Sequence, residues 1–259
     1  MSVIMDNYES MNDPQGLKYF SWIFGASQVF GGLSVVLVAV WMGGFDNGFG
    51  WSEDPHRQFS YHPLFMVIGM IFLYGESILV YRVFRHERKT FTKLLHLVLH
   101  SMVLVFFGVA LKAVLDNHKN NVDEHGLPKP LSDWHSMHSW LGATAIALFV
   151  TQYVGGFVTF FYPTLPGGAR KWLLPKHQFL GLGLFVLVGA VALTGIAERA
   201  AWHIKCWTPG EFCGGLAVAN LLGVSLALFV ATVFYLVWKQ EYKRKALPEE
   251  ESLQPLTAD

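Results

Sequence analysis

Eleven histidines occur among the 259 residues, and four of them, His62, His96, His138 and His177, fall at or near the start of long apolar segments. An ionisable side chain inside a bilayer is costly and normally faces the interior of a helix bundle. If successive segments cross in alternate directions, His62 and His138 lie near one membrane face, and His96 and His177 near the other. Two histidines at each end of a four-helix bundle is what two bis-histidine haems require, and bundle cores are common cofactor sites. With imidazole on both axial positions, iron has no place for oxygen or substrate, so the group accepts and passes electrons. No Cys-x-x-Cys-His occurs, so any haem here is non-covalent and b-type.

Helical projection adds a second pattern. Positions i+7, i+14 and i+18 return to nearly the same helix face. From His62 these are Gly69, Glu76 and Val80; from His138, Ala145, Gln152 and Gly156; from His177, Leu184, Val191 and Gly195. Small residues on a histidine face leave room for a flat macrocycle, although Gly and Ala are also enriched wherever membrane helices touch. Gly142 and Gly181 lie one turn from His138 and His177. His56, His86, His125 and His203 stand in or beside loops and read as hydrogen-bonded polar residues. His100, one turn from His96, makes a His-x-x-x-His pair of a kind that can hold a metal. No third ligand is evident nearby, so a propionate or substrate contact is the better reading.

The elements that position these residues are six apolar stretches near Tyr19–Met42, His62–Val83, Leu94–Leu115, His138–Phe161, His177–Glu198 and Leu216–Trp238. Each approaches the roughly 20 residues needed to cross a bilayer core. The fold class expected is an all-α integral membrane protein of six transmembrane helices, with helices two to five forming a four-helix bundle around two b-type haems. Residues 1–18 and 239–259 would be tails flanking a domain over 19–238.

Formal net charge is zero, which argues against nucleic acid as a partner. Arg82, Arg85, Arg88, Lys89 and Lys93 crowd the junction of the second and third segments. Arg170, Lys171 and Lys176 join the fourth and fifth, Lys239, Lys243, Arg244 and Lys245 follow the sixth, and Lys18 precedes the first. The other loops carry more acid: Asp46, Glu53 and Asp54, then Asp116, Asp123, Glu124 and Asp133. The positive-inside rule therefore puts both termini and the basic loops in the cytoplasm. Residues 1–18 lack a cleavable signal pattern, so the first helix reads as retained. Cys206 and Cys213 share a non-cytoplasmic loop; a disulfide or two free thiols both suit the sequence. The acidic tail from Ala246 to Asp259 reads as disordered and carries a candidate sorting signal near Glu249–Leu256.

With these residues in place, the chain resembles the cytochrome b561 family of transmembrane, ascorbate-dependent oxidoreductases. The resemblance rests on Ser77-Ile-Leu-Val-Tyr-Arg-Val-Phe-Arg85, Ser136-Met-His-Ser-Trp140, Tyr61-His62-Pro63, Lys93-Leu-Leu-His96 and Pro175-Lys-His177. It implies that His62 pairs with His138 and His96 with His177, the pairing that topology also gives. It implies cytoplasmic ascorbate as donor, with Arg82, Lys89, Lys93 and Arg170 at the family's basic positions; the plainer reading is that these only obey the positive-inside rule. His118, in Asp116-Asn-His118, matches the family residue near the outer haem and acceptor site. Ferric iron or the monodehydroascorbate radical would be the acceptor, and a hard ferric ion would favour oxygen ligands such as Asp116. A homodimer in lipid is the implied assembly, in an endosomal or lysosomal, secretory-vesicle or plasma membrane.

Several positions depart from the family pattern. His135 stands where many relatives have Tyr, and Glu76 where many have an amide, on the projected His62 face and close in depth to the inner haem. An ionised Glu76 there would lower that haem's potential. The loop holding the two cysteines also looks unlike the common form. Two other functions compete: a haem-free proton or metal transporter using the same histidines, and a haem-bearing anchor of a quinone-linked dehydrogenase. The first predicts a colourless protein, the second sensitivity to quinone-site inhibitors.

Overall fold

A computed structural model describes residues 17, 19–51, 54–123, 125–206, 210 and 212–245. Lys18, Glu53, Glu124, both expected tails up to residue 16 and beyond residue 245, and with them the candidate sorting signal, lie outside the described residues.

Among the described residues six helices are long and apolar enough to cross a membrane: α1 Phe20–Phe45, α2 Pro55–Val83, α3 Lys89–Asn120, α4 Met137–Phe160, α5 Gly167–His203 and α6 Gly214–Trp238. Their outward faces carry Val29, Val36, Val98, Val105, Leu221 and Val224 among other exposed apolar side chains, as a lipid-facing surface requires. The chain is an all-α integral membrane protein.

α1 lies along α6, α2 along α3, and α4 along α5, while α2 also meets α5, α6 and α1. Close approach there depends on missing side chains: a Cβ at Gly75 would lie 2.6 Å from the Phe229 ring, and one at Gly31 2.8 Å from Phe72. Buried Trp41, Ile71, Phe185, Leu226 and Phe229 fill the seam. By contrast α3 and α4 hardly meet along their backbones. They are bridged at mid-depth by side chains: Ser101 and Tyr153 hydroxyls 2.9 Å apart, and Phe107 and Phe149 rings at 6.0 Å.

Local features differ from the regular helices expected. α2 passes through a π-helical stretch, Val67–Leu73, between its histidine and its basic end. A π-bulge inserts the equivalent of one residue and rotates everything beyond it by about 100°. α5 begins at Gly167, ten residues before His177, and runs through Pro175. His177 is therefore well inside the helix rather than at its start. Likewise α3 begins at Lys89, ahead of His96, so its first turns carry the basic residues.

Candidate haem and electron-transfer site

The first histidine pair sits at the end of the bundle opposite the basic residues. The turn before α4 is fixed by a reciprocal cap: Ser136 accepts from the Ser139 amide and Ser139 accepts from the Ser136 amide. This places His138 in the first turn, facing His62 of α2. Their ring centroids are 6.1 Å apart and the planes cross at 88°. His62 Nδ1 lies 3.2 Å from the Ala110 carbonyl and His138 Nδ1 2.9 Å from that of Val191. Carbonyls accept only, so each bond puts the proton on Nδ1 and leaves Nε2 with a free lone pair, the tautomer a metal ligand needs.

The second pair lies at the basic end. The His96 and His177 centroids are 6.3 Å apart, with planes at 72°. His96 Nδ1 is 2.9 Å from the Ser77 carbonyl and 3.1 Å from its Oγ. The Ser77 hydroxyl in turn donates to the His96 carbonyl at 3.0 Å. From α4 the Gln152 amide donates to the His177 carbonyl of α5 at 2.6 Å. Along α2, the fifteen residues from His62 to Ser77 rise roughly 20 Å, so the two pairs occupy opposite ends of the span.

Spacing is what these pairs have in common. A metal–imidazole bond of about 2.0–2.1 Å on each side of one ion, plus about 1.1 Å from nitrogen to ring centre, sets trans imidazoles about 6.3 Å apart. Both pairs meet that distance. Glycine makes room beside each: a Cβ at Gly195 would lie 2.6 Å from His138 Cε1, and one at Gly156 2.9 Å from His177 Cε1. The residues present therefore fit a bis-imidazole iron at each end of the bundle. Among the described residues no group of three or more His, Cys, Asp or Glu side chains is arranged for a metal ion.

The basic residues divide. Lys93 Nζ donates to the Phe160 carbonyl at 2.9 Å, at the end of α4, and its charge is felt by Lys89 and Arg170. Phe160 in turn stacks edge-on to His177, with centroids at 5.3 Å. Lys89, Lys93 and Arg170 thus gather beside the inner pair. Arg82 turns elsewhere: it donates to the Val237 carbonyl at the end of α6. Its position tethers α2 to α6 instead of joining the other three cations. Glu76 also departs from its projected face. It accepts from Gln28 of α1 at 2.7 Å, because the π-helical stretch rotates it away from His62 and brings Ser77 inward instead. His100 lies against His96, Tyr74 and Phe149, at centroid distances of 4.5, 5.0 and 5.5 Å. It is deeper in the bundle than the cation cluster, away from any site for a water-borne substrate.

At the opposite end, His118 lies within electrostatic reach of His62 and is bonded through Nδ1 to Asp133 Oδ1 at 2.8 Å. Asp116, expected as its companion, is instead tied to Lys112 at 2.8 Å and Gln58 at 2.9 Å. His135 stacks on Trp202 at 5.2 Å, lies 6.5 Å from the His118 ring and 3.4 Å from Glu198 Oε1. Sequence reasoning missed a further contact here: Arg199 grips Asp46 through two hydrogen bonds of 2.8 and 2.6 Å, tying the first loop to α5. Burial raises the Asp46 carboxyl, but Arg199 more than offsets this and leaves it below its ordinary value of 3.8. An acid in the first loop and a base near the end of α5 were the only signals for that pair. Cys206 and Cys213, in the loop before α6, are joined by a disulfide.

Residues 61–203 match the model of the eukaryotic cytochrome b561 family. A Caenorhabditis elegans protein, named as a homologue of the transmembrane ascorbate-dependent reductase CYB561, is 46% identical over all of this chain and 98% of its own length. The transmembrane ascorbate-dependent reductase CYB561 of Bos taurus is 36% identical, across 93% of this chain and 90% of the relative. The plasma membrane ascorbate-dependent reductase CYBRD1 of Mus musculus is 30% identical, across 93% of this chain and 80% of the relative.

Proposed function

Because this chain belongs to the eukaryotic cytochrome b561 family, we propose that it moves single electrons across a membrane, from cytoplasmic ascorbate to a non-cytoplasmic acceptor. The observation that carries the proposal is the pair of imidazole separations, 6.1 and 6.3 Å, at opposite ends of one bundle. His62 with His138, and His96 with His177, would each hold one haem b. Bound between two imidazoles, such a group supplies reversible one-electron chemistry with no vacant coordination site.

The protein's own residues do the rest. Lys89, Lys93 and Arg170 form a cationic mouth beside the inner pair, suited to an anionic enediol such as ascorbate. The Ala110, Val191 and Ser77 carbonyls orient the imidazoles by holding the Nδ1 protons. On the other side, His118 held by Asp133 stands beside His62, where ferric iron or monodehydroascorbate would receive the electron. The positive-inside rule places the mouth with Lys93 and both termini in the cytoplasm. A homodimer in an endosomal or lysosomal, secretory-vesicle or plasma membrane remains part of the proposal by family likeness.

Protein reconstituted into vesicles loaded with ascorbate tests it. Ferric chelate or monodehydroascorbate outside should be reduced only when the protein is present. Reduction that needs an added quinone, or none at all, would refute the proposal.

A further inference from the structure

His100 is the one histidine of the bundle interior for which the electron-transfer reading has no task. Neither of its ring nitrogens makes a hydrogen bond among the described residues, and Nδ1 is sealed from solvent. Nε2 is not sealed in this way. A buried polar nitrogen without a partner costs about 1–3 kcal/mol, and such orphans in native structures call for an explanation. The neighbours offer none. The Tyr74 hydroxyl donates to the Gly181 carbonyl at 2.9 Å, His96 Nδ1 is engaged by Ser77, and Phe149 is apolar. A lone water would need two or more further polar partners, which these side chains do not leave open.

The ring stands edge-on to His96 at 4.5 Å. It is not the ring set 6.3 Å from His177; that is His96. His100 is therefore beside the inner metal position without being spaced as its ligand. A protoporphyrin seated there carries hydrogen-bonding groups only as the two carboxylates on its rim. With no acceptor at Nδ1, the favourable neutral tautomer puts the proton on Nε2, where it can be given to such a carboxylate. We infer that His100 is a positioning residue that donates from Nε2 to a propionate carboxylate of the inner haem. This rests on the haem reading above.

The hydrogen bond would fix the rotation of the macrocycle about the His96–His177 axis, which two axial ligands alone leave free. It would also blunt the negative charge nearest the iron. Without it the ferric state is favoured, so the inner midpoint should fall.

The test compares His100→Leu and His100→Gln with the unsubstituted holoprotein, by resonance Raman of the propionate bending band and by redox titration. His100→Leu should shift the band and lower the inner midpoint by up to about tenfold in the redox equilibrium, about 59 mV for one electron. His100→Gln, whose amide reaches the Nε2 position, should restore both. Should His100→Leu fail to assemble, His100→Phe keeps the volume without the donor and is compared with His100→Gln in the same way. An unmoved band, or equal shifts in the donor and donor-free variants, overturns the inference while leaving the haem reading intact. Unsubstituted protein without haem would sink the haem reading itself.

Discussion

Each ligand-pair imidazole has two ends, and the sequence around it decides what each end does. Where Nδ1 is tied to a main-chain carbonyl, rotation about the side-chain torsions is stopped and Nε2 is aimed across the gap. Replacing His96 or His177 by Ala should therefore remove the inner haem and keep outer haem, close to half the pigment by pyridine assay. Loss of the outer spectral component instead would break the pairing. Lys93→Ala and Arg170→Ala should each raise the KM for ascorbate about tenfold or more, the scale of a lost charge-assisted hydrogen bond. Arg82→Ala should leave that KM nearly unchanged and lower stability, since its partner is the Val237 carbonyl. Equal KM effects from Arg82 and Lys93 would contradict this division. Asp46, whose side chain is 2% exposed, gives a pH test. Its folded pKa is depressed below 3.8, so its contribution is whole above the unfolded value and is lost as pH falls through the folded one. Asp46→Asn should cost about 3–5 kcal/mol at neutral pH, the scale of a broken buried pair. The gap in thermal stability between it and the unsubstituted protein should close only below about pH 4. A gap that is unchanged there would show that the pair is not what the carboxylate supplies.

At the scale of the helices, what matters is how close two backbones come and in what phase. Gly195 on α5 backs His138 of α4, and Gly156 on α4 backs His177 of α5, so two antiparallel neighbours each make room for the other's histidine. Gly195→Ala should deplete outer haem and Gly156→Ala inner haem, as read from their separate reduced bands; the reverse assignment would be fatal to the arrangement. The sequence made much of this legible. Six apolar stretches, their alternate direction and the four histidines follow from length and spacing alone, because hydrocarbon thickness and helical rise are fixed. Phase was not legible. Projection at 3.6 residues per turn carried Glu76 onto the His62 face, and Val67–Leu73 has no Pro or other marker to announce a π-helical stretch. The helix ends were also longer than apolarity suggested, since Lys89 and Gly167 begin turns that extend past the hydrocarbon. Contacts between residues far apart in the chain, such as Asp46 with Arg199 or Gln58 with Asp116, have no local signature at all.

For the whole molecule the governing feature is polarity of build. Cations collect at the end with His96 and His177, while carboxylate-held histidines collect at the end with His62 and His138. α1 and α6 pack against each other and against α2, and α6 also meets α5. The most direct test is the visible spectrum of purified protein before and after ascorbate, with haem counted by pyridine assay. Two haems per chain and sharp reduced α-bands on adding ascorbate are expected. A colourless protein, or haem bands that ignore ascorbate, would contradict the account.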